Sequence, residues 1–167
     1  MFKVGIITSS DKGATGERED VSGAIIKEMV QEKGYKVIRQ VILPDEKDLL
    51  EEEMKNMADN LAVDLILTTG GTGFSKRDIT PEATIQVCDR MAPGITEAIR
   101  YFSLKITPRA MLSRAVAGIR NDSLIINLPG SPKAVKESLE FCLDSVHHGL
   151  EILTGSDSEC ARKLSEL

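Results

Sequence analysis

Short apolar runs alternate along the chain with polar stretches and with apolar residues at helical spacing. Lys3 to Thr8 (KVGIIT) reads as a buried first strand, being short, rich in β-branched residues and followed by polar ones. Ser9 to Asp20 carries two glycines and little that is apolar, so it is expected to form a long loop at that strand's end. Val21, Ala24, Ile25, Met29 and Val30 make one helical stripe over Val21 to Lys33, closed by Gly34. Lys36 to Leu43 is the second strand, and Leu43-Pro44-Asp45-Glu46 turns the chain into a helix over Lys47 to Leu61. Asp64 to Thr68 is a third, buried strand. A helix starts at Thr80, breaks at Met91-Ala92-Pro93-Gly94, and gives way to a second stripe at Ile95, Ala98, Ile99 and Phe102. Val116 to Arg120 and Leu124 to Leu128 are strands joined by the hairpin turn Asn121-Asp122-Ser123. The last strand runs through Pro129-Gly130-Ser131-Pro132 into a helix reaching about Leu153. Thr154 to Leu167 loses periodicity, as a loose tail does. The alternation predicts one α/β domain over residues 1–153, its sheet mostly parallel with one antiparallel strand from the hairpin.

Candidate chemistry concentrates in Thr68 to Thr84, TTGGTGFSKRDITPEAT. A strand leads in and a helix start leads out, with Thr80 placed to cap, Pro81 suited to the first turn and Glu82 near the positive helix end. Gly70, Gly71 and Gly73 lack a Cβ and can take positive φ, which lets backbone N–H groups point at an anion. Asp78 adds a carboxylate where a divalent cation bridging to phosphate would sit. The loop has neither the Lys-Ser/Thr ending of a Walker A loop nor G-x-G-x-x-G spacing. Glycines alone would suit a plain chain reversal. The hydroxyls of Thr69, Thr72 and Ser75 and the Lys76-Arg77 pair add partners for a ligand. Asp11 is either a further acid on the same ligand or a solvated loop residue. Asp45 is either the N-cap of the next helix or a second carboxylate at the carboxyl edge of the sheet. Pro129-Gly130-Ser131 repeats the strand, glycine turn, helix design, and two such turns at strand carboxyl ends can line one crevice.

Composition narrows the partners. The net charge of −5 and the lack of a basic stripe with interleaved aromatics argue against nucleic acid. With no Trp, two Tyr and four Phe, base-stacking platforms are equally poorly supplied. No apolar run approaches the roughly 20 residues of a membrane span, and Met1-Phe2-Lys3-Val4 leads straight into a strand rather than a signal peptide. Cys88, Cys142 and Cys160 are odd in number and lack C-x-x-C spacing, which fits buried thiols in a reducing cytoplasm. His147-His148 stands apart from other metal ligands and suits a partly exposed helix face better than a zinc site.

Taken in order from Val4 to about Leu153, LPDE, TTGGTG, RDITPEAT, LSRAVAGIR and LIINLPGSPKAVKE resemble the MogA/MoaB group of molybdenum-cofactor biosynthesis proteins. The match is closer to the molybdopterin adenylyltransferase (MogA) branch, which carries an Asp in the LPDE turn and an Asp before T-P-E. These fall on Asp45 and Asp78. The resemblance implies a three-layer α/β/α molybdopterin-binding-domain fold with a mixed five-stranded sheet, assembled as a homotrimer in the cytoplasm. It also implies transfer of AMP from ATP to the terminal phosphate of molybdopterin, with Mg²⁺ required and pyrophosphate released, and transient contact with the molybdenum-insertion (MoeA-type) enzyme. Asp45 and Asp78 are then the catalytic pair and Mg²⁺ ligands, with Asp11 as a further candidate. Gly70, Gly71, Thr72, Gly73 and Ser75 would meet phosphate, and Pro129, Gly130 and Ser131 would hold the other substrate. Ser113 and Arg114 match the family's S-R motif, Arg114 pairing either with phosphate or with a surface carboxylate. The sister branch implies an alternative, a trimeric pterin-binding or scaffold protein without AMP transfer.

Overall fold

The computed structural model describes residues 1–156, so most of the tail, with Cys160, lies outside the described residues. Six strands form one sheet: β1 (Lys3–Ser9), β2 (Lys36–Leu43), β3 (Leu65–Thr69), β4 (Arg90–Met91), β5 (Ala117–Arg120) and β6 (Ser123–Leu128). Their order is β2-β1-β3-β6-β5-β4. The first four in that order are mutually parallel, while β5 runs antiparallel to both β6 and β4. One strand therefore runs against the rest, as the hairpin predicts, but the expected five strands become six. The extra one, β4, pairs Arg90 with Ile119 and Met91 with Gly118. Two residues are too few to show a period-two pattern.

The helices are α1 (Asp11–Ala14), α2 (Val21–Glu32), α3 (Lys47–Lys55), α4 (Thr80–Val87), α5 (Pro93–Leu104) and α6 (Pro132–Leu153). Alternation along the strands divides the core into two faces. Val4, Ile6, Leu65, Leu67, Leu124 and Ile126 pack against α2, α5 and α6. Ile7, Ile66 and Ile125 turn the other way, onto α3 and α4. The result is the expected three-layer α/β/α arrangement. Among the described residues no helix is long and apolar enough to cross a membrane.

Three local expectations are corrected. Ser9 to Asp20 is not loop throughout: Ser10 accepts from the Gly13 N–H at 3.0 Å and caps the short helix α1. The helix after the LPDE turn ends at Lys55 and continues as a π-helical turn, Asn56–Asn60, before Ala62 reverses the chain at φ 47°. In α2 the buried residues are Ser22, Gly23, Ile26 and Val30, whereas Val21 and Ala24 face outward. The helix is rotated by its first turn. Ser22 Oγ donates to the Gly130 carbonyl at 2.9 Å, and the Gly23 N–H donates to the capping Asp20 Oδ1 at 2.8 Å.

Candidate active site

Parallel strands β1, β3 and β6 end side by side, and a cleft of about 550 Å³ opens at those ends. Ser9, Asp45, Gly70, Gly71, Asp78 and Gly130 line it, so both predicted carboxylates and both glycine turns reach one space. Arg18, Asp20 and Ser22 line it too, from a stretch whose sequence offered no motif.

Asp45 arrives from the turn after β2 and is not a helix cap. Glu46 occupies the N-cap of α3 and makes no side-chain cap bond. The Asp45 carboxylate instead accepts from Ser9 Oγ at 2.6 Å and from the Asp11 N–H at 3.1 Å, while its own N–H donates to Asp11 Oδ1 at 3.0 Å. This reciprocal pair ties the LPDE turn to the end of β1. Asp78 arrives from the glycine loop, where its carboxylate accepts from the Ser75 N–H at 3.0 Å.

Gly70 and Gly71 hold φ of +88° and +66°, a region side chains avoid. Gly73 does not share it, contrary to expectation; a Cβ there would stand 2.9 Å from Asp78 Oδ2. A Cβ on Gly71 would overlap Thr80 Oγ1 and come within 3.2 Å of Ser9 Oγ and 3.3 Å of Asp45 Oδ1. The missing methyl thus leaves a cradle ringed by oxygens. Thr80 is the first residue of α4 rather than its cap, and its buried hydroxyl has no hydrogen-bond partner among the described residues.

These features bear on whether Mg²⁺ suits the site. Among the charged residues described in the lining, Arg18 faces Glu19, Asp20, Asp45 and Asp78, an excess of acid that would repel phosphates. The donors are hard oxygens, and among the described residues no cluster of three or more metal-ligating side chains forms a protein cage. Mg²⁺ characteristically takes one or two carboxylates and fills its shell with water and phosphate oxygens. Asp45 and Asp78 fit that mode.

The remaining candidates divide. Thr72 and Gly73 lie behind the cleft, where Arg114 holds their backbone: its N–H donates to the Thr72 carbonyl at 2.8 Å and Nε to the Gly73 carbonyl at 2.7 Å. Its guanidinium also donates to the Asp78 carbonyl at 2.9 Å and pairs with Glu82. Arg114 thus has the carboxylate partner of one of its two readings, with the loop carbonyls added to it. Burial alone would raise the Glu82 carboxyl, but Arg114, the Glu82 backbone N–H and Lys47 together outweigh it and hold Glu82 below its ordinary value. Ser113 and Pro129 line a separate, smaller apolar cavity of about 210 Å³ between α5 and α6. Ser131 is the N-cap of α6 without a side-chain cap bond, and Ser75 is exposed in the loop.

The sequence offered Arg77, with Lys76, as a partner for a ligand; in the fold its guanidinium meets carboxylates of other segments. It forks the Asp11 carboxylate through Nε at 3.0 Å and Nη2 at 2.9 Å, and Nη2 also reaches Glu46 Oε1 at 2.7 Å. The Arg77 hydrogen bonds hold the Asp11 carboxyl below the usual range, and Arg77 itself is raised by Asp11 and Glu46.

Residues 5–148 match the family model described as "Probable molybdopterin binding domain". A molybdopterin adenylyltransferase of Helicobacter pylori (strain J99) is 44% identical over 155 residues, which cover 92% of this chain and 88% of that one. The molybdopterin biosynthesis enzyme MoaB of Thermus thermophilus superposes with a TM-score of 0.88 at 47% identity, over 93% of this chain and 98% of that structure. The Mog protein of Mycobacterium ulcerans superposes with a TM-score of 0.85 at 37% identity, over 92% and 97%. By sequence and by architecture, the chain belongs to the molybdopterin-binding domain family.

Proposed function

We propose that this protein is a molybdopterin adenylyltransferase of molybdenum-cofactor biosynthesis, using ATP as the AMP donor. The observation that carries the reading is the convergence of Asp45 and Asp78, from separate segments, on one cleft floored by Gly70, Gly71 and Gly130. Relatives of 38–44% identity that bear this name support it.

In the reaction an oxygen of the terminal molybdopterin phosphate attacks the α-phosphorus of ATP. The bond from that phosphorus to the β-phosphate bridging oxygen breaks, and pyrophosphate leaves. No protein nucleophile is required, so the residues act by positioning and by charge. The Gly70-Gly71 turn lets phosphate approach the backbone closely, and Arg18 offers a positive charge at the rim. Mg²⁺, held by Asp45 and Asp78, would neutralise phosphate charge when bound. Asp45 is fixed for that role by Ser9 and Asp11, and Asp78 by Ser75. The protein is proposed to act in the cytoplasm as a homotrimer and to hand its product on in transient contact with a molybdenum-insertion enzyme of the MoeA type.

The test supplies ATP, Mg²⁺ and molybdopterin together and measures pyrophosphate. Release that needs all three supports the reading. The likeness to a MoaB protein leaves one second reading, a trimeric pterin-binding or scaffold protein without AMP transfer. Molybdopterin binding without pyrophosphate release would establish that one instead.

A further inference from the structure

Each cleft carboxylate has a chain neighbour that reaches toward the other's segment. Arg77 precedes Asp78, Glu46 follows Asp45, and their side chains meet at 2.7 Å. The same guanidinium forks Asp11, which exchanges two backbone-to-carboxylate hydrogen bonds with Asp45. Starting from Asp78, the path runs through the preceding residue, Arg77, into Asp11, and from Asp11 directly into Asp45. We propose that Arg77 is a positioning residue for adenylyl transfer, setting the spacing of Asp45 and Asp78 by bracketing Asp11 and Glu46. This rests on the adenylyltransferase reading.

Three observations favour spacing over stability. The Arg77, Asp11 and Glu46 side chains are 51%, 44% and 53% exposed, and exposed ion pairs contribute little to folding. The bracket joins residues 66 positions apart, one at the start of the short helix α1 and one in the glycine loop, so it ties two surface segments and leaves the core alone. Both Asp11 oxygens are engaged, Oδ2 by Arg77 and Oδ1 by Arg77 and the Asp45 N–H, so Asp11 is built in as the joint. Arginine is suited to the task because its planar fork fixes direction as well as distance, which lysine's single ammonium does not. Arg77 does not line the cleft, so its influence on substrate is indirect.

The experiment compares wild type with Arg77→Ala, Arg77→Lys, Asp11→Asn and the Arg77→Ala/Asp11→Asn double variant. It measures Tm, ATP affinity by calorimetry with Mg²⁺ and with EDTA, and pyrophosphate release across a Mg²⁺ titration. Arg77→Ala is expected to keep Tm and ATP affinity in EDTA while raising the Mg²⁺ midpoint by roughly tenfold, the scale for residues that orient metal ligands. Arg77→Lys should fall between it and wild type. The double variant should be no worse than the worse single one, because both break the same bracket. A wild-type Mg²⁺ midpoint and turnover in Arg77→Ala would overturn the inference and leave the activity standing. So would equal losses of ATP affinity with and without Mg²⁺ alongside a lowered Tm. Wild-type protein that neither binds ATP nor releases pyrophosphate would overturn the underlying reading, and the inference with it.

Discussion

Gly130 stands directly against Gly70: a Cβ on Gly130 would lie 3.4 Å from the Gly70 Cα. The two glycine turns are therefore one surface, although they follow different strands. Thr69 Oγ1 fastens them by donating to the Pro129 carbonyl at 2.6 Å, and Ser22 holds the Gly130 carbonyl from α2.

The two glycines should nevertheless respond differently to a methyl group. On Gly70 it would overlap the Ser9 carbonyl, in a backbone conformation with positive φ. Gly70→Ala is expected to cost about 1–3 kcal/mol and lower Tm by several degrees. Gly130→Ala meets its neighbour at ordinary contact distance and should stay within about 0.5 kcal/mol of wild type. Thermal denaturation of both variants checks the contrast.

Asp78→Ala removes a cleft carboxylate whose structural bond is to an exposed loop N–H. Pyrophosphate release should fall by roughly 10² or more with Tm little changed. Asp45→Asn can still accept from Ser9 Oγ but presents its NH2 to the Asp11 N–H, so it should fold with a small loss of Tm and show a weakened Mg²⁺ dependence. Full activity in Asp45→Asn would move the second carboxylate elsewhere.

Arg114→Lys tests the clamp behind the loop. Lysine cannot serve the Gly73 carbonyl, the Asp78 carbonyl and Glu82 together. A loss of about 1–3 kcal/mol is expected from backbone acceptors left unsatisfied, together with weaker ATP binding in calorimetry. An unchanged Tm would mean that the loop holds its shape without the clamp.

Asp11 should titrate below its ordinary value of 3.8, because the Arg77 hydrogen bonds favour the carboxylate. A depressed carboxyl contributes its favourable term fully above the ordinary value and loses it as pH falls through the lowered one. The bracket is thus charged and closed at neutral pH and opens only in acid. Carboxyl carbon shifts of Asp11 followed by NMR should show the low midpoint in wild type and its return toward 3.8 in Arg77→Ala.

Burial, with Asp89 adding to it, pushes the Cys88 thiol up to about 11, and burial pushes Cys142 up to about 12. At pH 8 less than about one part in a hundred of either is thiolate, so neither should react with a disulfide reagent until the protein is unfolded. A thiol count in native and denatured protein checks this.

Much of the architecture was legible because it follows from local periodicity. β2 and α6 have the boundaries their patterns predict, and the β5–β6 hairpin pairs antiparallel about Asn121, at φ 49°. The failures share another cause. Ser22 and Gly23 are buried on α2 because of partners at Gly130 and Asp20, and no helical stripe can report such contacts. The site divides the same way. Gly70, Gly71 and Asp78 stood out from residue type and neighbours and Asp45 from the family resemblance, whereas Arg77 and Arg114 could be named as candidates but not given their partners, which lie on other segments. A lone arginine in a loop carries no sign of what it will reach.

The strand order has a consequence for how the protein loses activity. Asp78 belongs to the loop after β3, which has paired strands on both sides, whereas Asp45 follows β2, which has a neighbour on one side only. Edge strands open in sub-global fluctuations well before central ones. Mild heating or dilute urea should therefore carry Asp45 away with a fraying β2 while the glycine floor persists. Hydrogen exchange would register this as fast amides in β2 beside slow ones in β3, and catalysis would fade before the helical signal does.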